Sequence, residues 1–460
     1  MSLCLPQQLW GGDIGSVNTS QYRIVDNLTV TQNTDKPPYK VPSMAEIEAL
    51  PWNGYNVIST FSGCGGSCLG YRMAGFKVRW ASEFIPAAQE VYKLNHPDSI
   101  LDTRDIRQVQ PQEILDAIGL GVGEIDIMDG SPPCASFSTA GKLEAGWGKV
   151  KKYSDTQQRT DDLFFEYSRL VKGLQPKVFV AENVSGLVKG TAKGYFKMIL
   201  QDLKDCGYTV TAKLLDAQWL GVPQMRQRII FVGVRNDLVE EFGVKPAHPT
   251  PLSYQYTVRD ALPWIMEMEM EMGKGFGEKE TVGADTTPYM AIGTGPNSGN
   301  GLATKVLAAR VMDDTGGQYS MGDVTDRPSP TVDTNPRLFV EKETDISRYA
   351  IGDEWEKMGR NGQTNSDKYI NLKRPDLDAP SYGISQMGGQ NPGVAAVTHP
   401  TEKRKFSIAE LKRICAFPDD FQLTGSYAQQ WERLGRAVPP VMMAAIAKAI
   451  QAEVLDRCAE

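Results

Sequence analysis

Between Tyr55 and Val234 the chain alternates short apolar runs, rich in β-branched residues, with segments of helical periodicity. Tyr55–Phe61, Lys77–Ser82, Glu124–Met128, Lys177–Ala181, Tyr208–Leu215 and Ile229–Val234 read as strands. Cys68–Ala74, Ala87–Leu94, Leu163–Lys172 and Phe196–Cys206 read as helices between them. Strands alternating with helices place helices on both faces of one sheet. The predicted fold class is therefore α/β, a doubly wound and mostly parallel sheet. Ligands of such sheets bind beyond the carboxyl ends of the strands, so the residues that follow each strand are where chemistry is to be sought.

The rest of the chain has a different texture. Residues 1–52 read as an extension, with one local signal: Ser43-Met-Ala-Glu46 is a capping box that opens a short helix. After about residue 238 the alternation stops, and residues 239–400 are rich in Gly, Pro, Asn and Thr. Met266–Met272, where Met and Glu alternate, reads as a solvated segment without function. Asp326-Arg-Pro-Ser-Pro-Thr-Val and Asp378-Ala-Pro-Ser-Tyr-Gly-Ile are loosely alike, a degenerate repeat or chance. Helical periodicity returns at Ser407–Ala416 and Pro440–Leu455. The expected organisation is a catalytic domain over 53–238, a smaller inserted domain over 239–400, and helices in 401–460 that complete the first domain.

Several classes are disfavoured by composition. No stretch approaches 18 uncharged apolar residues, and the first residues lack a secretory pattern. Seven scattered cysteines point to free thiols in a reducing, cytoplasmic setting. The three histidines, His96, His248 and His399, lie far apart, and Cys64 and Cys68 have no second pair, so no metal is expected. The net charge of -7 is unhelpful for binding phosphates, but basic residues gather in Lys142–Arg159 and Lys403–Arg413.

Five strand ends carry the candidate chemistry. Phe61-Ser-Gly63-Cys64-Gly65-Gly66 joins a strand to a helix, and glycines there let a ligand approach backbone amides. Glu83, about twenty residues on at the end of the next strand, is placed to accept hydrogen bonds from ribose hydroxyls. Asp105-Ile106 is read as ending a third strand, where Asp would reach an adenine amino group and Ile would cover its ring; a turn or cap role for Asp105 is the alternative. In Asp126-Ile-Met-Asp-Gly-Ser131-Pro132-Pro133-Cys134 a buried strand runs into two prolines and a cysteine, a rigid mounting for a nucleophile. Residues 135–160, polar, Gly-rich and basic, have the composition of a lid over a charged substrate. Phe179-Val-Ala-Glu182-Asn183-Val184 ends another strand in a carboxylate, and Arg226 and Arg228, two apart, point to one face of a strand.

In this order and spacing the motifs resemble the DNA cytosine-5 methyltransferase family. The resemblance covers the turn Phe61–Gly66, Glu83, Pro133-Cys134, Glu182-Asn183-Val184, Arg226-x-Arg228 and the segment Ser407–Asp420, and so spans roughly residues 55–236 and 399–455. It implies an S-adenosylmethionine-dependent methyltransferase fold with an inserted target-recognition domain, and methylation of C5 of a cytosine flipped out of double-stranded DNA. It assigns Cys134 as the nucleophile that attacks C6, Glu182 as the acid at N3, and Arg226 and Arg228 as the pair positioning the base. Phe61, Gly63, Cys64, Gly65, Gly66, Glu83, Phe84, Asp105, Ile106 and Pro132 would hold the cofactor, S-adenosylmethionine. Ser138 and Arg159 would belong to the DNA-contacting loop, which here looks several residues longer than in compact members. The last motif departs from the pattern: Gly435-Arg436-Ala437-Val438 has Arg436 where the family carries Asn, an ending that looks familiar from phage and prophage members. A restriction–modification setting, an intracellular location and a monomer are the further expectations. A tRNA cytosine-5 methyltransferase, a catalytically silent DNA-binding relative and a nicotinamide-dependent oxidoreductase are the alternatives. The first would use the same residues; the last would leave Pro-Cys, Glu-Asn-Val and the arginine pair unexplained.

Overall fold

The computed structural model of the protein describes residues 36–133, 162–188, 193–263, 265, 344–359 and 371–459, together with the strand segments 151–153, 156–158 and 362–363. Cys134, Ser138, Arg159, the Met/Glu run at 266–272 and the first member of the suspected repeat lie outside the described residues.

The doubly wound sheet predicted from the sequence is present. Its strands are β1 (Asn56–Thr60), β2 (Lys77–Ser82), β3 (Ile100–Asp102), β4 (Ile127–Gly130), β7 (Val178–Val184), β8 (Tyr208–Asp216) and β9 (Gln227–Arg235), and β5 (Lys151–Tyr153) and β6 (Thr156–Gln158) pair as a separate antiparallel hairpin. The order across the sheet is β3-β2-β1-β4-β7-β9-β8. Neighbours from β3 to β7 run parallel, whereas β9 lies antiparallel between β7 and β8. The chain therefore leaves β1 toward one edge and β4 toward the other, and the crevice beyond β1 and β4 is the switch point where such folds bind ligands.

Alternate residues of each strand feed two cores. Ile58, Trp80, Met128, Phe179 and Phe231 pack with the helices Pro111–Ile118, Leu163–Leu174 and Lys193–Asp205. Val57, Val78, Ile127, Val180 and Val232 pack on the other face with Gly66–Met73 and Pro440–Ile450. Met442, Met443, Ile446, Ala447 and Ile450 are fully buried there, so the helix Pro440–Ile450 covers one face of a sheet whose first strand begins at residue 56. The stretch Tyr427–Ala459 is long and apolar enough to cross a membrane by length and composition, and 61% of its most apolar window is buried in the protein. Its hydrophobicity is accounted for by this core.

The two helices meet closely because Gly70 carries no side chain. A methyl group on Gly70 would stand 2.5 Å from both Met443 Cβ and the Pro440 carbonyl oxygen. Gly194, also helical, meets nothing within 4 Å. Gly70→Ala is expected to destabilise the protein by roughly 1–3 kcal/mol through overpacking, and Gly194→Ala to stabilise it by about 0.5–1 kcal/mol through helix propensity. Denaturant melts of the two variants check the contrast; equal effects would contradict the packing described.

The predicted capping box forms: Ser43 and Glu46 bond reciprocally at the start of helix Met44–Glu48. The segment before it lies on the body, with Tyr39 Oη donating to the Arg413 carbonyl at 2.8 Å and Lys36 paired with Asp260 at 2.7 Å. A further core joins Cys64, Leu69 and Val91 to Val258, Leu377, Tyr382, Phe406 and Trp431. The helix Ile408–Ile414, capped by the Ser407–Glu410 box, sits within it.

Candidate active site

After Thr60 the backbone swings out of β1 at Phe61, whose φ of 55° is in the left-handed region that a bulky residue rarely adopts. Phe61, Gly63, Cys64 and Gly66 then face a cavity of about 820 Å³, within the range of small-molecule sites. Gly65 serves differently. It is not part of the cavity wall, and a side chain there would stand 2.1 Å from His96 Nε2. At Gly66 the obstacle would be the Val438 carbonyl oxygen, at 2.4 Å, so the turn and the segment after Gly435 are in contact.

Glu83 follows β2 and holds the turn in place. Its carboxylate accepts from the amides of Gly63 at 2.7 Å and Ile85 at 2.6 Å. Burial pushes the carboxyl above its usual range, and those amide bonds offset part of the rise. Phe84 and Ile106 also line the cavity. Asp105 does not. The third strand ends at Asp102, and Asp105 instead caps a short helical turn, accepts from the Arg107 amide and pairs with that guanidinium at 2.9 Å. The expectation that Asp105 ends a strand is corrected: Thr103 and Arg104 intervene.

From β4 the chain passes through Gly130 into Ser131, Pro132 and Pro133, all three on the cavity wall and directly before Cys134. Asn183 secures this edge, its amide donating to the Pro132 carbonyl at 3.2 Å. On the neighbouring strand Glu182 is buried and paired with Arg228 at 2.6 Å.

Arg226 and Arg228 both line the cavity but differ in their contacts. Arg226 precedes β9, is buried, and donates to the carbonyls of Ile384 at 3.2 Å and Gly435 at 3.0 Å. Burial lowers its guanidinium to about 9, still cationic at neutral pH. It thus ties β9 to the inserted region and to the last motif. Arg226→Met would leave two buried carbonyls without donors and is expected to lower stability by roughly 2–4 kcal/mol. A urea melt no different from the parent would contradict this role.

Arg436, at the position where the resemblance departs from its pattern, also lines the cavity, and Nε and Nη2 are held by Glu432 Oε1 at 2.8 and 2.7 Å. Gly383, Ile384, Ser385 and Gln386 complete the wall from the inserted region. The aperiodic stretch around them carried no signal for this. Asp129, within β4, is the other residue the sequence reading passed over. It is 1% exposed, lines the cavity, and accepts from Ser59 Oγ at 3.2 Å and Tyr71 Oη at 3.3 Å. A charge interrupting the apolar run Ile-Asp-Ile-Met-Asp-Gly was the available clue. Among the described residues, no three His, Cys, Asp or Glu side chains gather in a way that would hold a metal.

A ligand crevice at the switch point of this sheet, bounded by a glycine turn, a buried acid and a Pro-Pro edge, defines a doubly wound enzyme that binds a nucleotide-like cofactor. The chain belongs to the C-5 cytosine-specific DNA methylase family, whose model matches residues 55–452, and it is a cytosine-5 DNA methyltransferase. It is 28% identical over 402 residues to the Type II methyltransferase M.NgoFVII of Neisseria gonorrhoeae, covering 86% of this chain and 87% of that one. To the Type II methyltransferase M.Sau96I of Staphylococcus aureus it is 26% identical over 428 residues, covering 92% and 82%. Among solved structures, a candidate DNA modification methyltransferase encoded within an E. coli prophage superposes with a TM-score of 0.57 at 20% identity, covering 88% of this chain and all of that one. That likeness is one of fold.

Proposed function

We propose that the protein methylates C5 of a cytosine flipped out of duplex DNA, with Cys134 adding to C6 and Glu182 assisting at N3. The observation that carries this reading is the meeting of three strand ends on one cavity: the Phe61–Gly66 turn, the Ser131–Pro133 edge leading to Cys134, and the Glu182–Arg228 pair. When bound, S-adenosylmethionine supplies a methyl group on a positively charged sulfur. The residues present fit it. The glycine turn leaves room against the cavity, Glu83 offers its carboxylate to ribose hydroxyls, and Phe61, Phe84 and Ile106 offer apolar surface to an adenine ring.

C5 of cytosine is a weak nucleophile, and thiolate addition at C6 makes it enamine-like if N3 is protonated or strongly hydrogen-bonded. Cys134, as the thiolate, forms the bond to C6 while Glu182, in its protonated form and released from Arg228, gives its proton to N3, and Arg228 meets the carbonyl edge of the base. After C5 is methylated, a solvent water takes its proton, the C5–C6 double bond re-forms with expulsion of the Cys134 thiolate, and the N3 proton returns to the Glu182 carboxylate. The base reaches these groups only outside the stack, at a cost of a few kcal/mol. Closing over it is the task assigned to the loop containing Ser138 and Arg159. Residues 239–400 would read base edges in the groove, with 401–460 completing the catalytic domain and the chain acting as a monomer within a restriction–modification pair.

The test is incubation with mixed-sequence duplex DNA and S-adenosylmethionine, followed by mapping of 5-methylcytosine at single-base resolution. Methylation in one fixed context is expected. Modification of tRNA but not of duplex DNA in a parallel reaction would transfer the same chemistry to the other substrate class.

A further inference from the structure

Asp129 has no task in the reaction set out above, and its position is costly. A carboxylate taken from water needs a counter-charge or a proton. Among the described residues its side chain meets only neutral hydroxyls, those of Ser59, Tyr71 and Ser67. The strand order supplies the next step. Ile106 follows β3, Glu83 follows β2, the glycine turn follows β1, Asp129 lies on β4 and Glu182 on β7. A cofactor with its nucleoside at the β2–β3 side and its methyl presented toward Glu182 must carry its sulfur, and the amino-acid arm attached to it, over β1 and β4. Asp129 lies there on the same sheet face as Glu182, since it pairs in register with Val180, two residues before Glu182. The Ser67 hydroxyl, 5% exposed and on the same cavity wall, also lies beside the Asp129 carboxylate and favours its charged form.

We propose that Asp129 is a cofactor-binding residue that receives the positive charge of the methyl donor, at its sulfonium or its ammonium group; this rests on the cofactor reading above. Among the described residues the titratable groups facing Asp129 are Tyr71 and Cys68 from helix Gly66–Met73, Tyr167 from helix Leu163–Leu174, and Glu182 from β7, none of them a cation. Burial pushes the carboxyl up to about 7; the Ser59 and Tyr71 hydroxyls work against the rise and Glu182 adds to it. A cation arriving beside it draws off the proton. Binding below neutrality therefore releases a proton and weakens as the pH falls, whereas above neutrality the carboxylate is already formed and no proton is lost.

The experiment is calorimetry of the full chain and of Asp129→Asn with three ligands: S-adenosylmethionine, which has sulfonium and ammonium; S-adenosylhomocysteine, which has only the ammonium; and 5′-methylthioadenosine, which has neither. In buffers of differing ionisation enthalpy near pH 6, the parent protein is expected to release roughly one proton on binding S-adenosylmethionine, and Asp129→Asn none. The variant should lose roughly ten- to a hundred-fold in affinity for S-adenosylmethionine and keep its affinity for 5′-methylthioadenosine. That retained binding also shows that its site has folded. Loss for S-adenosylmethionine alone assigns the sulfonium, and loss for S-adenosylhomocysteine as well assigns the ammonium. Equal loss for all three ligands, or unchanged affinity and proton release, overturns the inference while leaving the cofactor reading intact. Failure of the parent to bind S-adenosylmethionine overturns both.

Discussion

Cys134→Ala protein is expected to form no 5-methylcytosine above background while binding S-adenosylmethionine as the parent does. Without a nucleophile at C6, C5 has no enamine character, and loss of at least about 10⁴-fold in rate is the scale set by removing nucleophiles elsewhere. No other described cysteine is suited to the task. Cys64, Cys68 and Cys415 are buried, with thiols pushed up by burial to about 12, 11 and 11; Cys206 is raised to about 11 and Cys458 is raised as well, burial being the first cause in both. Such thiols hold almost no thiolate at neutral pH. Transfer of labelled methyl to duplex DNA, with cofactor affinity measured alongside, checks the expectation. Substantial transfer by the alanine variant would end the covalent mechanism.

Glu182→Gln carries the second large effect. The amide cannot give up a proton to N3, so single-turnover methylation should slow by roughly 10²–10⁴-fold. Its 2.6 Å ion pair with Arg228 adds a diagnostic. Groups that act together are non-additive, so Glu182→Gln combined with Arg228→Met should cost less than the two losses multiplied. A Glu182→Gln enzyme as fast as the parent would mean that the proton reaches N3 from another group, and strictly multiplicative losses would mean that the pair does not work as a unit.

What the sequence revealed and what it hid follow from the range of the interactions involved. Six of the seven strands of the main sheet were legible because burial on both faces writes itself into a few consecutive residues, as at Phe179–Glu182, whereas the three-residue edge strand Ile100–Asp102 was too short and too exposed to leave that mark. The capping box at Ser43 was legible for the same local reason. The insertion of β9 between β7 and β8 was not, since strand order is set by partners remote in the chain. Arg226 and Arg228 were read as equals from their spacing, but the strand begins at Gln227 and leaves Arg226 outside it, bonded to residues 158 and 209 positions away. Gly65 was read with its neighbours as cofactor-facing, whereas its missing side chain makes room for His96. Asp105 lost its place to a neighbour, Arg107, whose charge its own segment supplies.

The contact between the Gly66–Met73 helix and residues 440–450 has a consequence for synthesis of the chain. The glycine turn and its helix leave the ribosome early, but the residues that cover them come nearly four hundred positions later. At translation rates of about 5–20 residues per second the gap is roughly 20–75 s. For that interval one face of the nascent sheet stands open, available to chaperones and to aggregation. A truncated product of translation would lack the lining that Arg433–Val438 gives the cavity, so premature release should yield an inert fragment instead of an enzyme with partial activity.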